Sequence, residues 1–131
     1  ISGDSPLPVQ LSGSFVVEEK IKTALSIGAG ATVYLYGGLG TTAGCPKVAI
    51  ALKTTDGSTP RVSATLFHVF AGGACLNGTQ TAIDNVLMNN NRACSMLLAV
   101  ATLKVDFTIT NHDTAAHAFD VYLYRMADTR W

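Results

Sequence analysis

The stretch TVYLYGGLGTTAG, residues 32–44, places Gly38, Gly40 and Ala43 in the G-x-G-x-x-A spacing of a dinucleotide-binding turn. That chemistry requires a helix directly after the turn, its N-terminus facing a pyrophosphate, and a crossover to a parallel strand. Here Gly44 runs into Cys45-Pro46 and then into an alternating segment at 47–53, which leaves no room for a helix. The downstream acidic residue of such a fold would fall at Asp56, inside an Asp-Gly turn. The stretch therefore reads as a flexible inter-strand loop, and no cofactor is expected.

Other chemistry-bearing residues are equally poor in partners. His112, Asp113, His117 and Asp120 crowd into what reads as one hairpin tip, but a loop of small residues does not orient three metal ligands and the groups that support them. A solvated turn, with Asn-His-Asp-Thr satisfying backbone groups, is the expectation there. His68, between Phe67 and Val69, reads as a half-buried structural residue. Glu18 and Glu19 are adjacent on a strand pattern and so point to opposite faces, which does not suit a carboxylate pair for glycoside hydrolysis. The serines include no G-x-S-x-G elbow. No catalytic residue is assigned, and the chain is not expected to be an enzyme.

Cys45, Cys75 and Cys94 are an odd set without a C-x-x-C clip. One disulfide with a free thiol is one arrangement, and three buried small hydrophobes is the preferred one. Asn77-Gly78-Thr79 is a glycan acceptor if the protein passes through a eukaryotic secretory route. Tyr34 and Tyr36, and again Tyr122 and Tyr124, stand two residues apart, so each pair lines one outward sheet face. Such a face stacks on sugars, buries against a partner, or packs as half-exposed rungs beneath a loop.

The elements that position these residues are strands. LKVDFTIT at 103–110 sets Leu103, Val105, Phe107 and Ile109 against Lys104, Asp106, Thr108 and Thr110, the period of a half-buried strand. AFDVYLYRM at 118–126 repeats the plan with Phe119, Val121 and Leu123 inward. KVAIALK at 47–53 and RVSATLFHVF at 61–70 flank the turn TTDGSTP, so the chain reads as two long hairpins of similar design. IKTALSI at 21–27 alternates as well, and Gly28-Ala29-Gly30 turns it into ATVYLY at 31–36. A single helical segment is expected, one or two turns within 79–90, with Thr81 as cap and Ile83, Val86 and Leu87 on one face; a strand is the competing reading. The fold class is all-β, an antiparallel β-sandwich or jelly-roll-like domain over 15–131. Residues 1–14, with Pro6 and Pro8 around Leu7, Val9 and Leu11, form an extended arm.

Composition narrows the function classes. The 131 residues are 48% apolar and 14% charged, with nine basic and nine acidic side chains and no net charge. That supports one folded core and argues against phosphate-directed nucleic-acid binding, which needs a basic excess. Weak self-repulsion favours association. The longest apolar run, MLLAVATL at 96–103, falls far short of a membrane helix. The chain opens on Ile1 rather than Met, as a processed or an incomplete N-terminus would.

The stretch VDFTITNHDTAAHAFDVYLYRM, with its strand, TITN turn of small residues and aliphatic-aromatic strand, resembles β-sandwich virion proteins of bacteriophages and other viruses: capsid, head-decoration, tail and fibre types. The resemblance implies a self-assembling structural subunit without catalysis, found in virions or extracellular particles, whose partners are its own copies and other virion proteins. The alternative is a secreted carbohydrate- or ligand-binding module that takes a glycan on its tyrosine face. Under either reading the interface candidates are Leu7, Val9, Leu11, Tyr34, Tyr36, Tyr122, Tyr124, Arg130 and Trp131. Neither nucleic-acid binding nor a membrane span is expected.

Overall fold

Alternating apolar residues over this many short segments are satisfied when two sheets turn their apolar faces toward each other, and that is the observed arrangement. The structure, a computed structural model, describes residues 14–41, 47–71, 73–77, 79–100, 102 and 104–128, with the side chains of 14–16, 36–41 and 127–128 outside the description. Ten strands follow in order: β1 (Ser14–Ile27), β2 (Thr32–Thr41), β3 (Lys47–Thr54), β4 (Arg61–Phe70), β5 (Gly73–Ala74), β6 (Gln80–Leu87), β7 (Arg92–Cys94), β8 (Leu98–Ala99), β9 (Lys104–Asn111) and β10 (His117–Asp128). The first sheet runs β1-β10-β3-β7, with β8 also on β3; the second runs β2-β9-β4-β5, with β6 also on β4. All pairings are antiparallel.

The core is the one the alternation marks. Val48, Ile50 and Leu52 of β3, Val105, Phe107 and Ile109 of β9, and Phe119, Val121 and Leu123 of β10 are all buried, joined by Ile27, Leu35, Val62 and Leu66. Removing these side chains from water is the main favourable contribution to the fold.

The connections differ from expectation. The segments 47–53 and 61–70 are not a hairpin, because β3 lies in the first sheet and β4 in the second; β9 and β10 are divided in the same way. Each pair is an arch that carries the chain from one sheet across the core to the other. Inward alternation is the same for a hairpin and an arch, so periodicity cannot separate them. The turn chemistry itself is as read: Gly57 has φ +80°, and the Asp56 carboxylate accepts the Ser58 N–H at 3.0 Å.

Four further readings are corrected. The segment expected as helix is strand β6, hydrogen-bonded to β4 through two register shifts. Of the supposed helical stripe only Ile83 is buried, while Val86 and Leu87 face solvent. A helix would leave the edge of β4 unpaired, and β-branched Thr81, Ile83 and Val86 suit a strand. The glycine stretch is not a loop as far as Thr41: β2 continues through it, advancing from Leu35 to Gly40 while β9 advances only from Phe107 to Val105. Asp106, assigned to the solvent face, is buried; it pairs across the sheet with Phe67, whose ring lies 5.3 Å from Tyr34. Cys75 is half-buried and Cys94 exposed, and both are free thiols; they sit in a loop and on a short edge strand rather than in the core, and Cys45 lies outside the described residues.

The arches meet at one end of the sandwich, and Asn111 locks them. Its side chain is fully buried. Its amide N–H₂ donates to the carbonyls of Ile27 (3.1 Å), Gly28 (3.3 Å) and Ala115 (2.9 Å), and its oxygen accepts the Asp113 N–H at 3.0 Å. Main-chain bonds reinforce the junction, from Gly30 to Asp113, from Asn111 to Ala31 and from His112 to Arg61. Replacing Asn111 by Ala leaves the buried Ile27 carbonyl without its donor and removes the side-chain bonds to Gly28, Ala115 and Asp113. The Asn111→Ala variant is expected to lose about 2–4 kcal/mol of stability, read from the urea midpoint, while keeping a β-type circular dichroism spectrum. A midpoint unchanged within error would show that water replaces the amide at no cost.

Candidate functional site

Cross-strand register builds a groove on the outer face of the first sheet. Tyr122 of β10 lies opposite Ala51 of β3, and Ala51 opposite Cys94 of β7; one rung on, Asp120, Lys53 and Arg92 stand in line. Small side chains on the middle strand, Ala49 and Ala51, leave a trough between the tyrosines on one side and Arg92 and Cys94 on the other. The groove encloses about 400 Å³ and reaches Glu18 of β1.

Its tyrosine wall is fixed in place. The Tyr124 hydroxyl donates to Glu18 at 2.6 Å, and that bond, with burial added, pushes the phenol up to about 12. The Lys20 ammonium sits 5.8 Å from the Tyr122 ring centroid and 3.3 Å from the Asp120 carboxylate, so the β1 side of Tyr122 is occupied and its other side turns toward the Ala51 floor. Asp120 also accepts the Ala24 N–H at 2.9 Å, which holds the bulge where Ala24 takes φ +51°. That bond, ahead of the nearby Lys20, lowers the Asp120 pKa.

A second polar cluster lies at the arch-bearing end. The His117 side chain, 8% exposed, places Nε2 2.5 Å from Asp113 Oδ2, and Nδ1 2.9 Å from Ser58 Oγ and 3.3 Å from Asp56 Oδ2. The Ser58 hydroxyl is 2.5 Å from Asp56 Oδ1. A doubly protonated imidazole satisfies the whole set: Nε2–H donates to Asp113, Nδ1–H to Ser58 and Asp56, and the serine hydroxyl to Asp56. The cluster thereby clamps the β3–β4 arch to the β9–β10 arch. The Asp113 bond, ahead of the opposing effect of burial, raises the His117 pKa; the bonds from Ser58 lower Asp56 to about 2, and the His117 bond lowers Asp113.

The sequence-marked residues are only partly brought together. Tyr122 and Tyr124 share the groove wall, but Tyr34 sits on the opposite sheet against Phe67, where burial and then the Asp106 charge raise its pKa. The Tyr36 side chain lies outside the description, as do Leu7, Val9, Leu11, Arg130 and Trp131. The histidine-aspartate crowd is split: His112 bonds Ser63 Oγ at 2.7 Å, Asp120 serves β1, and only Asp113 and His117 meet. Among the described residues no group of three His, Cys, Asp or Glu is placed to hold a metal, and no helix is long and apolar enough to cross a membrane. Lys53, Arg92 and Glu18 in the groove, and Asp56 and Ser58 at the clamp, were not anticipated. The outward alanines of KVAIALK were the one sequence signal for a trough.

No protein-family model matches the chain, and no curated protein matches it. Solved structures do. The VP2 subviral particle of infectious bursal disease virus superposes with a TM-score of 0.52 at 10% identity over 88% of this chain and 33% of that one. The PBSX exported protein XepA gives 0.52 at 15% identity over 90% and 38%, and tripeptidyl peptidase 2 gives 0.56 at 10% identity over 86% and 10%. The likeness is one of fold. The chain spans from a tenth to under two-fifths of the length of these neighbours.

The clamp makes stability depend on pH in a definite direction. A raised His117 pKa contributes stability that is complete below the unfolded value near 6.5 and is lost as pH rises through the folded value. The lowered Asp56 and Asp113 contribute above about 3.8 and lose that contribution as pH falls through their folded values. The denaturant midpoint is therefore expected to be higher at pH 5.5 than at pH 8.5, and His117→Gln should flatten that difference. An identical slope in the variant would assign the pH dependence elsewhere.

Proposed function

We propose that the chain is a self-assembling structural subunit of a virion or similar extracellular particle, acting through contacts with its own copies and other particle proteins rather than through catalysis. The observation that carries this reading is the clustering of exposed apolar side chains at the end of the sandwich opposite the arches. Phe70, Leu76, Met96 and Leu97 are 60%, 72%, 82% and 49% exposed. Register puts Phe70 at the far end of β4, where it pairs with Gly73 of β5, and Leu76 follows β5 in the chain; Met96 and Leu97 link β7 to β8, whose Ala99 pairs with Lys47 on a rung with Met126. The Gln80 amide donates to the Ala99 carbonyl at 2.8 Å, joining the two sheets at that end. A group of apolar residues left in water beside both chain exits is a surface suited to a partner. The fold shared with a subviral-particle protein over 88% of the chain and the absence of net charge support the same reading.

In this proposal the arm read at 1–14, whose last residue Ser14 already pairs with Asp128 as the start of β1, reaches through its preceding residues to a neighbour and buries Leu7, Val9 and Leu11 there, covering the apolar end. Sedimentation velocity of the 131-residue chain is expected to show symmetric oligomers. Deleting residues 1–12, or replacing Leu76 and Met96 together by Glu, should dissociate them while leaving the β-type circular dichroism intact. A monodisperse monomer near 13.7 kDa at all concentrations would sink the proposal.

Trp131 offers an independent check because it is the only tryptophan. Placed beside Arg130 in a contact between copies, it would bury a large aromatic surface, worth on the order of 2 kcal/mol. Its emission should shift to the blue and lose accessibility to iodide as oligomers form. Emission that stays red and fully quenchable in the assembled state marks a solvated tail.

A further inference from the structure

The groove on the outer face of the first sheet lies away from the apolar end, and its chemistry is not that of a packing surface. The geometry points to a binding site for a pyranose that bears a carboxylate. Three observations converge on this class of ligand. The first is size and shape: Tyr122 and Cys94 flank Ala51 on neighbouring strands, so the walls stand about 10 Å apart, two inter-strand spacings, enough for one sugar ring set edgewise on the alanine floor. A volume of about 400 Å³ falls within the range of small-ligand sites, roughly 300–1,000 Å³.

The second is the tyrosine wall. The Tyr124–Glu18 hydrogen bond and the Lys20 ammonium near the Tyr122 ring fix both side chains before any ligand arrives, which reduces the ordering cost of binding. The C–H face of a pyranose packs on such aromatic surface. The third is the distribution of charge. Lys53 and Arg92 are exposed and adjacent across β3 and β7, and among the described residues neither is in an ion pair; the Arg92 guanidinium donates to the Asn90 carbonyl through Nε, at 3.4 Å. A guanidinium beside an ammonium at one end of the groove matches a single carboxylate. At the other end Glu18 keeps an oxygen that accepts ring hydroxyls, while Asp120, on the cationic rung beside Lys53 and bonded to Lys20, limits that end to a single added negative charge and opposes polyphosphates. An extended peptide is a poorer fit, because β3 is bonded on both sides and has no free edge for strand addition.

The test is a titration of the full chain, by two-dimensional NMR, with the methyl glycosides of N-acetylneuraminic acid and of glucuronic acid, and with methyl glucoside as the neutral control. At least one acidic sugar is expected to shift the resonances of the groove and to bind roughly tenfold more tightly than methyl glucoside. Replacing Lys53 and Arg92 together by Gln should erase that difference, Ala51→Phe should fill the floor and abolish binding, and Tyr122→Ala, which removes the ring face, should weaken binding roughly tenfold. All four positions are at the surface of the sheet, and circular dichroism verifies the fold of each variant. The proposal is overturned if neither acidic sugar binds up to about 10 mM, if methyl glucoside binds equally well, or if the Ala51→Phe protein binds like the parent. None of these results depends on oligomeric state, so this proposal and the assembly reading stand or fall separately.

Discussion

The sandwich depends on how the buried Asn111 amide is satisfied. Two sheets with apolar inner faces attract each other at almost any angle and offset, since the hydrophobic effect has no direction. Hydrogen bonds from one enclosed side chain to the carbonyls of Ile27, Gly28 and Ala115 and from the Asp113 N–H admit very few relative placements. They hold the β1–β2 connection, in which the chain leaves the first sheet, against the β9–β10 connection, in which it returns. The His117 cluster then adds the β3–β4 arch to the same junction. Polar groups thus define an alignment that the apolar core alone leaves loose.

The two ends of the molecule consequently differ in kind. At the arch end, donors and acceptors answer one another within the chain, and turns bond to turns. At the opposite end Phe70, Leu76, Met96 and Leu97 remain in water next to both chain exits. Apolar exposure is not confined to that end, since Val86 and Leu87, paired with Val62 and Arg61 beside the β3–β4 arch, also face solvent. The tyrosine groove lies on a face between these ends and answers to neither.

Much of this was legible in the residues and some was not, for physical reasons. Val48, Ile50, Leu52, Val105, Phe107, Ile109, Phe119, Val121 and Leu123 declare themselves through period two, because a strand with one wet and one dry face admits no other pattern. Whether Leu52 and Val62 belong to one sheet or to two leaves no trace in that period, so arches were read as hairpins. Ile83, Val86 and Leu87 fit a helical stripe as well as a bulged strand, and only the bonding demand of β4 decides between them. Asp106 looks solvent-facing by alternation; its burial comes from Tyr34 and Phe67 on neighbouring strands, a tertiary fact. The groove was half visible: Tyr122 and Tyr124 were singled out by spacing, while Lys53, Arg92 and Glu18 join them only through a register that sequence does not reveal. Asn111 looks like an ordinary turn residue in TITN, and its burial follows from the three connections that close around it.

The position of β10 bears on how the molecule comes into being. It lies between β1 and β3, so the earliest described strand has no partner among the described residues of its sheet until the latest described strand arrives. During synthesis from the N-terminus, β2, β4, β5, β6 and β9 are able to pair as soon as β9 leaves the ribosome, and β3 already has β7 and β8 on one edge, whereas β1 waits with its edges open. The second sheet is thus a template on which the first is completed by a single late insertion. Pairings this distant along the chain make for slow folding. The interval before that insertion is when an unpaired β1 is open to the β10 of another copy, so the same strand order that closes the monomer provides a route by which two chains exchange it.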